Sequence, residues 1–278
     1  MARVGFMQGR LSPQVDGKIQ AFPWQYWETE FVIGSEAGFA LIEWTLDQER
    51  LYENPLLLTA GQKRIRELSN TCGIQVMSLT GDCFMQAPFW KASAIARRSL
   101  LQDLENILDA CAAIDLRYVV VPLVDNGRLE NDAQRESLLD GLLPLVPWLL
   151  KYQMAIVFES DFRPEALVEL MAFLRHPSFG INYDIGNSAS LGFDPAAEIR
   201  TYGNRIQNVH VKDRLLGGST VPLGTGAANF PLVFRELARI AYRGDFILQT
   251  ARATDGHHLD ALVRYRDMVR GWIGTCAV

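Results

Sequence analysis

Hydrophobic and polar positions along this chain follow two alternating periods. Short, mostly apolar runs rich in Val, Ile, Leu and Phe read as buried strands, and the longer stretches between them repeat apolar residues at helical spacing. RVGFM at 3–7 is the first strand, followed by the long loop QGRLSPQVDGKIQAFPW and a helix over 26–37 that Gly38 ends as a C-cap. FALIEWTLD, IQVMSLTGD and RYVVVPLVD are strands two to four, with helices over 56–71 and 91–114 between them. The continuous β-branched run of RYVVVPLVD fits a parallel strand covered on both faces. A helix over 132–152 should be kinked or split by Pro144 and Pro147. MAIVFES, GINYD, IQNVH and DFILQT are strands five to eight, interleaved with helices over 164–174, 195–202 and 231–241 and closed by one over 259–272.

Eight strand–helix units at roughly 30-residue intervals, without a break in composition, predict one α/β domain over 1–278, a closed (β/α)8 barrel. A doubly wound sheet would want a Gly-rich phosphate loop after an early strand, and neither GxGxxG nor GxxxxGK[ST] occurs. The 278 residues, 49% hydrophobic, suffice for a single large core. A net charge of −5 offers no basic field for nucleic acid. No signal-peptide pattern or membrane-length apolar run is visible. Cys72, Cys83, Cys111 and Cys276 lack CxxC spacing and read as reduced thiols, which together predict a cytoplasmic protein.

The candidate chemistry collects at strand ends. Glu159 tips strand five, Asp184 strand six, His210 strand seven and Gln249 strand eight. All four should converge on the C-terminal face, where barrel enzymes carry their sites. Two carboxylates, an imidazole and an amide oxygen suit one divalent cation, Mn, Mg, Co or Zn. Taken singly, Asp184 could merely cap a turn and His210 could be a satisfied core histidine; the set is what points to a site. Arg10, just past the first strand, could fork onto a substrate carboxylate or phosphate, or tie down its loop. Trp24, Trp27, Trp44, Phe84, Phe89 and Trp90 fall in or beside strand-to-helix loops, where they could wall a sugar pocket or pack the core. Trp44 follows Glu43 directly and should face the other side of its strand.

The segments HPSFGINYDIGNSASLGFDP, NVHVKD and VPLGTGAANFPLVFREL resemble the xylose isomerase-like barrels, a superfamily of sugar and sugar-phosphate isomerases and epimerases. The resemblance covers nearly the whole chain and is nearest to ketose and ketopentose-phosphate 3-epimerases. It implies a metal held by Glu159, Asp184, His210 and the strand-eight residue, with Glu159 as principal base. It further implies an auxiliary carboxylate at Asp213 and a strand-two carboxylate, Glu43, toward the substrate. Lys212, Arg214 and Arg252 become candidates for an anionic substrate group or ordinary surface charges. Family members often assemble as dimers or tetramers.

The chain departs from the family at ILQT, where Gln249 stands in place of a glutamate. An amide oxygen can ligate a metal but cannot take up a proton at neutral pH. Thr225 and Asn229 likewise replace acidic residues of the G-x-G loop. The reading is therefore a metal-dependent isomerase or epimerase acting on a small sugar or sugar phosphate beside its carbonyl. A dehydratase or lyase on the same barrel, or a silent sugar-binding barrel, are the alternatives.

Overall fold

The computed structural model describes residues 2–276. Eight parallel strands close into a barrel in the order β1-β10-β7-β6-β5-β4-β3-β2. They are β1 (Val4–Met7), β2 (Leu41–Leu46), β3 (Gln75–Gly81), β4 (Tyr118–Leu123), β5 (Ala155–Ser160), β6 (Phe179–Asp184), β7 (Ile206–Val211) and β10 (Phe246–Leu248). A two-stranded antiparallel hairpin, β8 (Asp213–Arg214) and β9 (Thr220–Val221), stands on the loop after β7. The predicted (β/α)8 architecture is thus the observed one.

Each strand forms where residues fit a surface buried on both faces: β4 reads YVVVPL and is buried from its second residue onward. The helices cover the outside. Pro144 and Pro147 act as expected, dividing the predicted long helix into Asp132–Leu142, a 3-10 turn over Leu143–Leu145 and a short helix Val146–Lys151. The C-terminal helix His258–Thr275 packs Trp272 flat on Phe230, with ring centroids 4.4 Å apart. Arg3 pairs with Asp245 at 2.8 Å beside the first registered pair of β1 and β10, Val4 with Phe246, where the barrel closes. No helix among the described residues is long and apolar enough to cross a membrane.

Two local features shape the rim after β6 and β7. The segment after Asp184 is a short helix, Ile185–Ser190. Asp184 caps it, its Oδ1 accepting from the Asn187 N–H at 2.8 Å. Gly186 serves close approach there: a Cβ on it would lie 2.8 Å from Lys212 Cγ. The G-x-G loop folds back onto Asp213, whose carboxylate accepts from the backbone N–H groups of Gly224, Gly226 and Ala228. A Cβ on Gly226 would sit 2.3 Å from Asp213 Oδ1, so only glycine lets the backbone donate there.

Candidate active site

Register brings the site together. Asp184 pairs with His210 across β6 and β7, Ile247 pairs with His210 across β10 and β7, and Gln249 follows the end of β10. Glu159 is the next-to-last residue of β5. The inward positions two residues below the ligands are also polar, Asn182 under Asp184 and Asn208 under His210. The upper barrel interior is therefore a polar layer, and buried polar groups persist only when hydrogen-bonded.

Glu159, Asp184 and His210 are all buried and can each offer one ligand atom within 4.8 Å of the others. Glu159 is fixed by two amides and the imidazole. Its Oε1 accepts from Asn187 Nδ2 at 2.6 Å, and its Oε2 from Asn182 Nδ2 at 3.0 Å. His210 Nδ1 stands 3.0 Å from that same Oε2. The other ring nitrogen, Nε2, lies 2.7 Å from Glu43 Oε1.

Glu43 lies in the middle of β2, below the strand tip, fully enclosed beneath the imidazole and not turned toward a substrate. Its remaining partners are the Thr80 hydroxyl and Asn208 Nδ2. A carboxylate behind a histidine fixes the ring and raises its basicity, an arrangement typical of metal-ligating imidazoles. Burial would lower the His210 pKa, but Glu43 and Glu159 outweigh it and raise it to about 10. The same pairing holds Glu43 and Glu159 below the ordinary carboxylate range, against the burial that would raise them.

Lys212 completes the cluster. Its ammonium lies 2.6 Å from Asp184 Oδ2 and donates to Gln249 Oε1 at 2.8 Å. Burial together with the neighbouring Glu159 raises Asp184 above its usual range, opposed by Lys212. Asp184 Oδ2, though close to that charge, has no properly directed hydrogen-bond donor. An enclosed carboxylate oxygen lacking a donor, beside a second carboxylate and an imidazole backed by a third, is a donor set suited to a divalent cation. The chemistry of these residues fits such an ion.

The other predicted contacts are engaged within the protein. Arg10 donates from Nε to the Thr250 carbonyl and from its terminal nitrogens to the Ile19 carbonyl and Gln20 Oε1, tying down the loop after β1. Arg252 reaches the carbonyls of Gly9 and Ser12. Arg214 donates to the Gly218 carbonyl and to Asn187 Oδ1, so it braces the amide that holds Glu159. Asp213 holds the G-x-G loop and is shut off from the mouth.

Among the aromatics, Trp27 and Trp44 pack together with ring centroids 5.6 Å apart, and Phe89 packs on Trp90. Trp44 and Phe84 are buried in the same core. Trp24 is the exception, lining an open cleft of about 370 Å³ beside the mouth with Arg50 over its ring. That cleft does not reach the Glu159 cluster.

Several residues of the site escaped the sequence reading. Asn182 and Asn208 were signalled by their inward parity with the ligands. Asn187 was signalled by the capping position after Asp184. Glu30, on the helix Trp27–Glu36, accepts from the Gly9 and Leu11 N–H groups and is raised to about 7 by burial. Nothing in its local sequence marks it.

A family model described as xylose isomerase-like TIM barrel matches residues 31–271. The chain is 23% identical over 263 residues to the L-ribulose-5-phosphate 3-epimerase UlaE of Salmonella heidelberg (strain SL476), covering 91% of this chain and 92% of that protein. Its fold superimposes on a solved L-ribulose 3-epimerase with a TM-score of 0.76 at 15% identity, over 99% of this chain and 96% of the other. A xylose isomerase-like TIM barrel protein from Mycobacterium smegmatis in complex with magnesium aligns with a TM-score of 0.72 at 14% identity, over 100% and 98% of the two chains. At these identities the solved structures speak to the fold.

Proposed function

The chain belongs to the xylose isomerase-like TIM barrel family, and on that premise we propose that it is a divalent-metal-dependent isomerase or epimerase of a small ketose or ketose phosphate. The observation that carries this reading is the buried Glu159–Asp184–His210 group at the C-terminal rim. The relatives named as L-ribulose-5-phosphate and L-ribulose 3-epimerases support the substrate class. Glu159, Asp184 and His210 would hold the ion, with the amide oxygen of Gln249 turned to the same space. When bound, the ion would polarise a carbonyl oxygen and ease loss of the proton on the neighbouring carbon.

The rest is the work of this chain's own side chains. Glu43 keeps the imidazole oriented with Nδ1 toward Glu159 and Asp184. Asn182 and Asn187 fix both oxygens of Glu159, which takes the proton as general base.

Activity toward L-ribulose 5-phosphate and L-ribulose is expected with at least one of Mn, Mg, Co or Zn, and is expected to vanish on chelation and return on metal addition. Undiminished turnover after chelation would contradict the metal assignment. Glu43→Gln, which keeps the side chain's shape but removes the charge behind His210, is expected to weaken metal binding about 10–100-fold. Titration calorimetry on the metal-free protein reads this directly, and unchanged affinity would remove Glu43 from the site. The Lys212 ammonium already set between Asp184 and Gln249 favours a second reading, a sugar-binding barrel without turnover. That reading expects sugar binding with no reaction under any of these metals.

A further inference from the structure

Inverting a carbon beside a carbonyl takes a proton from one face and returns one to the other, so a group is needed on each side. Glu159 serves one face. Gln249, an amide, serves as neither acid nor base at neutral pH. Glu43 is sealed under His210, Asp213 is held by three backbone N–H groups, and Asp184 is divided between a helix cap and Lys212.

Of the other carboxyls just past strand ends, Asp47 accepts through its two oxygens from the Phe22 N–H and Gln86 Nε2, and Asp161 follows the Glu159 strand itself and pairs with Arg128, which leaves Asp82. Asp82 is the residue immediately after β3, the first of the short helix Asp82–Gln86. In the ring order, β3 stands diametrically across from β7, so Asp82 faces the His210 side across the mouth. It is largely buried, with 8% of its surface exposed. Its Oδ2 accepts from Gln20 Nε2 at 2.6 Å, and its other oxygen has no hydrogen-bond donor among the described residues.

The Gln20 amide links Asp82 to Gln249. Gln20 Oε1 accepts from Gln249 Nε2 at 3.1 Å and from Arg10 at 3.3 Å. Gln20 therefore presents its donor to Asp82 and its acceptor to Gln249. This arrangement suits one carboxyl and one amide at the two ends. Two carboxylates would compete for the single amide NH2, leaving Gln20 Oε1 against an oxygen.

Resting on the reading of the site as a sugar epimerase, we propose that Asp82 is its second proton-transfer group, held by Gln20 on the loop after β1, the strand across the ring from β5, so that it acts on the face of the substrate turned away from Glu159, and positioned through Gln20 by Gln249. The C–H bond on one face breaks to Glu159, and the electron pair is held through the carbonyl oxygen. A new C–H bond then forms on the other face from the Asp82 carboxylic acid. Nothing is oxidised or reduced. Exchange with water returns Glu159 to carboxylate and Asp82 to acid, and the reverse reaction uses the groups in exchanged roles. Burial, with Asp47 and Glu159 nearby, raises the Asp82 pKa to about 7 against the pull of Gln20 and Arg10, so both protonation states are accessible near neutral pH.

The test follows L-ribulose 5-phosphate and L-ribulose in D2O with metal-loaded wild type, Asp82→Asn, Gln249→Glu and the double variant Asp82→Asn/Gln249→Glu. Wild type should invert C3 with deuterium in the product. Asp82→Asn should lose inversion by about 10²–10⁴-fold while still washing deuterium into unreacted substrate through Glu159. Loss of inversion with exchange retained is a result that a merely structural role for Asp82 would not produce, and the double variant, with the carboxyl at the other end of the Gln20 amide, should regain inversion. Inversion by Asp82→Asn at the wild-type rate overturns the role of Asp82 alone. Neither exchange nor inversion in wild type overturns the epimerase reading beneath it as well.

Discussion

Replacing Glu159 by Gln is expected to lower kcat about 10²–10⁴-fold, the usual contribution of a positioned general base. The substitution keeps the side chain's shape, with one amide oxygen left to accept from either Asn182 or Asn187, but an amide cannot take the proton. Measured at saturating metal and substrate, the loss should fall mainly on kcat, because it removes a step and not the binding surface. The thermal midpoint should change little by comparison, since the variant introduces no buried unpaired charge. Exchange of the substrate's own proton with solvent should fall with turnover. A variant with full exchange would place the base elsewhere.

His210→Ala is expected to produce the largest loss of stability. The imidazole is fully enclosed between Glu43 and Glu159. Removing it leaves Glu43 buried without its charged partner, and breaking a buried pair in this way costs roughly 3–5 kcal/mol. For a chain of this size that corresponds to a fall of roughly 5–9 °C in Tm. Metal binding should be lost in the same variant. The double variant Glu43→Gln/His210→Ala separates the effects: neutralising Glu43 should recover much of the Tm, but not the metal affinity. Scanning calorimetry of the two proteins checks this, and equal midpoints would contradict the charge pairing.

The strand ends were legible because apolar period and ligand type coincide there. Asp184 and His210 each close a run that can only be a buried strand, and the observed register sets them level. Pro144 and Pro147 announced the break in their helix because proline lacks the N–H a helix interior uses. The depth of Glu43 was not legible. Pairing with both neighbours decides it, and the shift in β2–β3 register between Ile42 and Glu43 lies in no local pattern. The short helix after Asp184 was hidden by Gly186, which reads as a loop residue yet serves to admit Lys212. Arg10 and Arg252 carry the charge of ligand-binding residues, but each donates to a carbonyl more than two hundred positions away in sequence. Only tertiary structure reveals such pairings. Asp184 caps a helix with one oxygen, close to one of its sequence readings, while its other oxygen faces Lys212.

The most direct test of the central claim is solvent deuterium at C3 of L-ribulose 5-phosphate, followed by NMR with wild-type protein before and after metal removal. Deuterium entering that position with metal, and ceasing on chelation, is the expected result, for it requires a proton to leave carbon under the control of the Glu159 cluster. No deuterium at C3 of either L-ribulose 5-phosphate or L-ribulose, under any of the four metals, would contradict the account and leave the barrel as a binding protein.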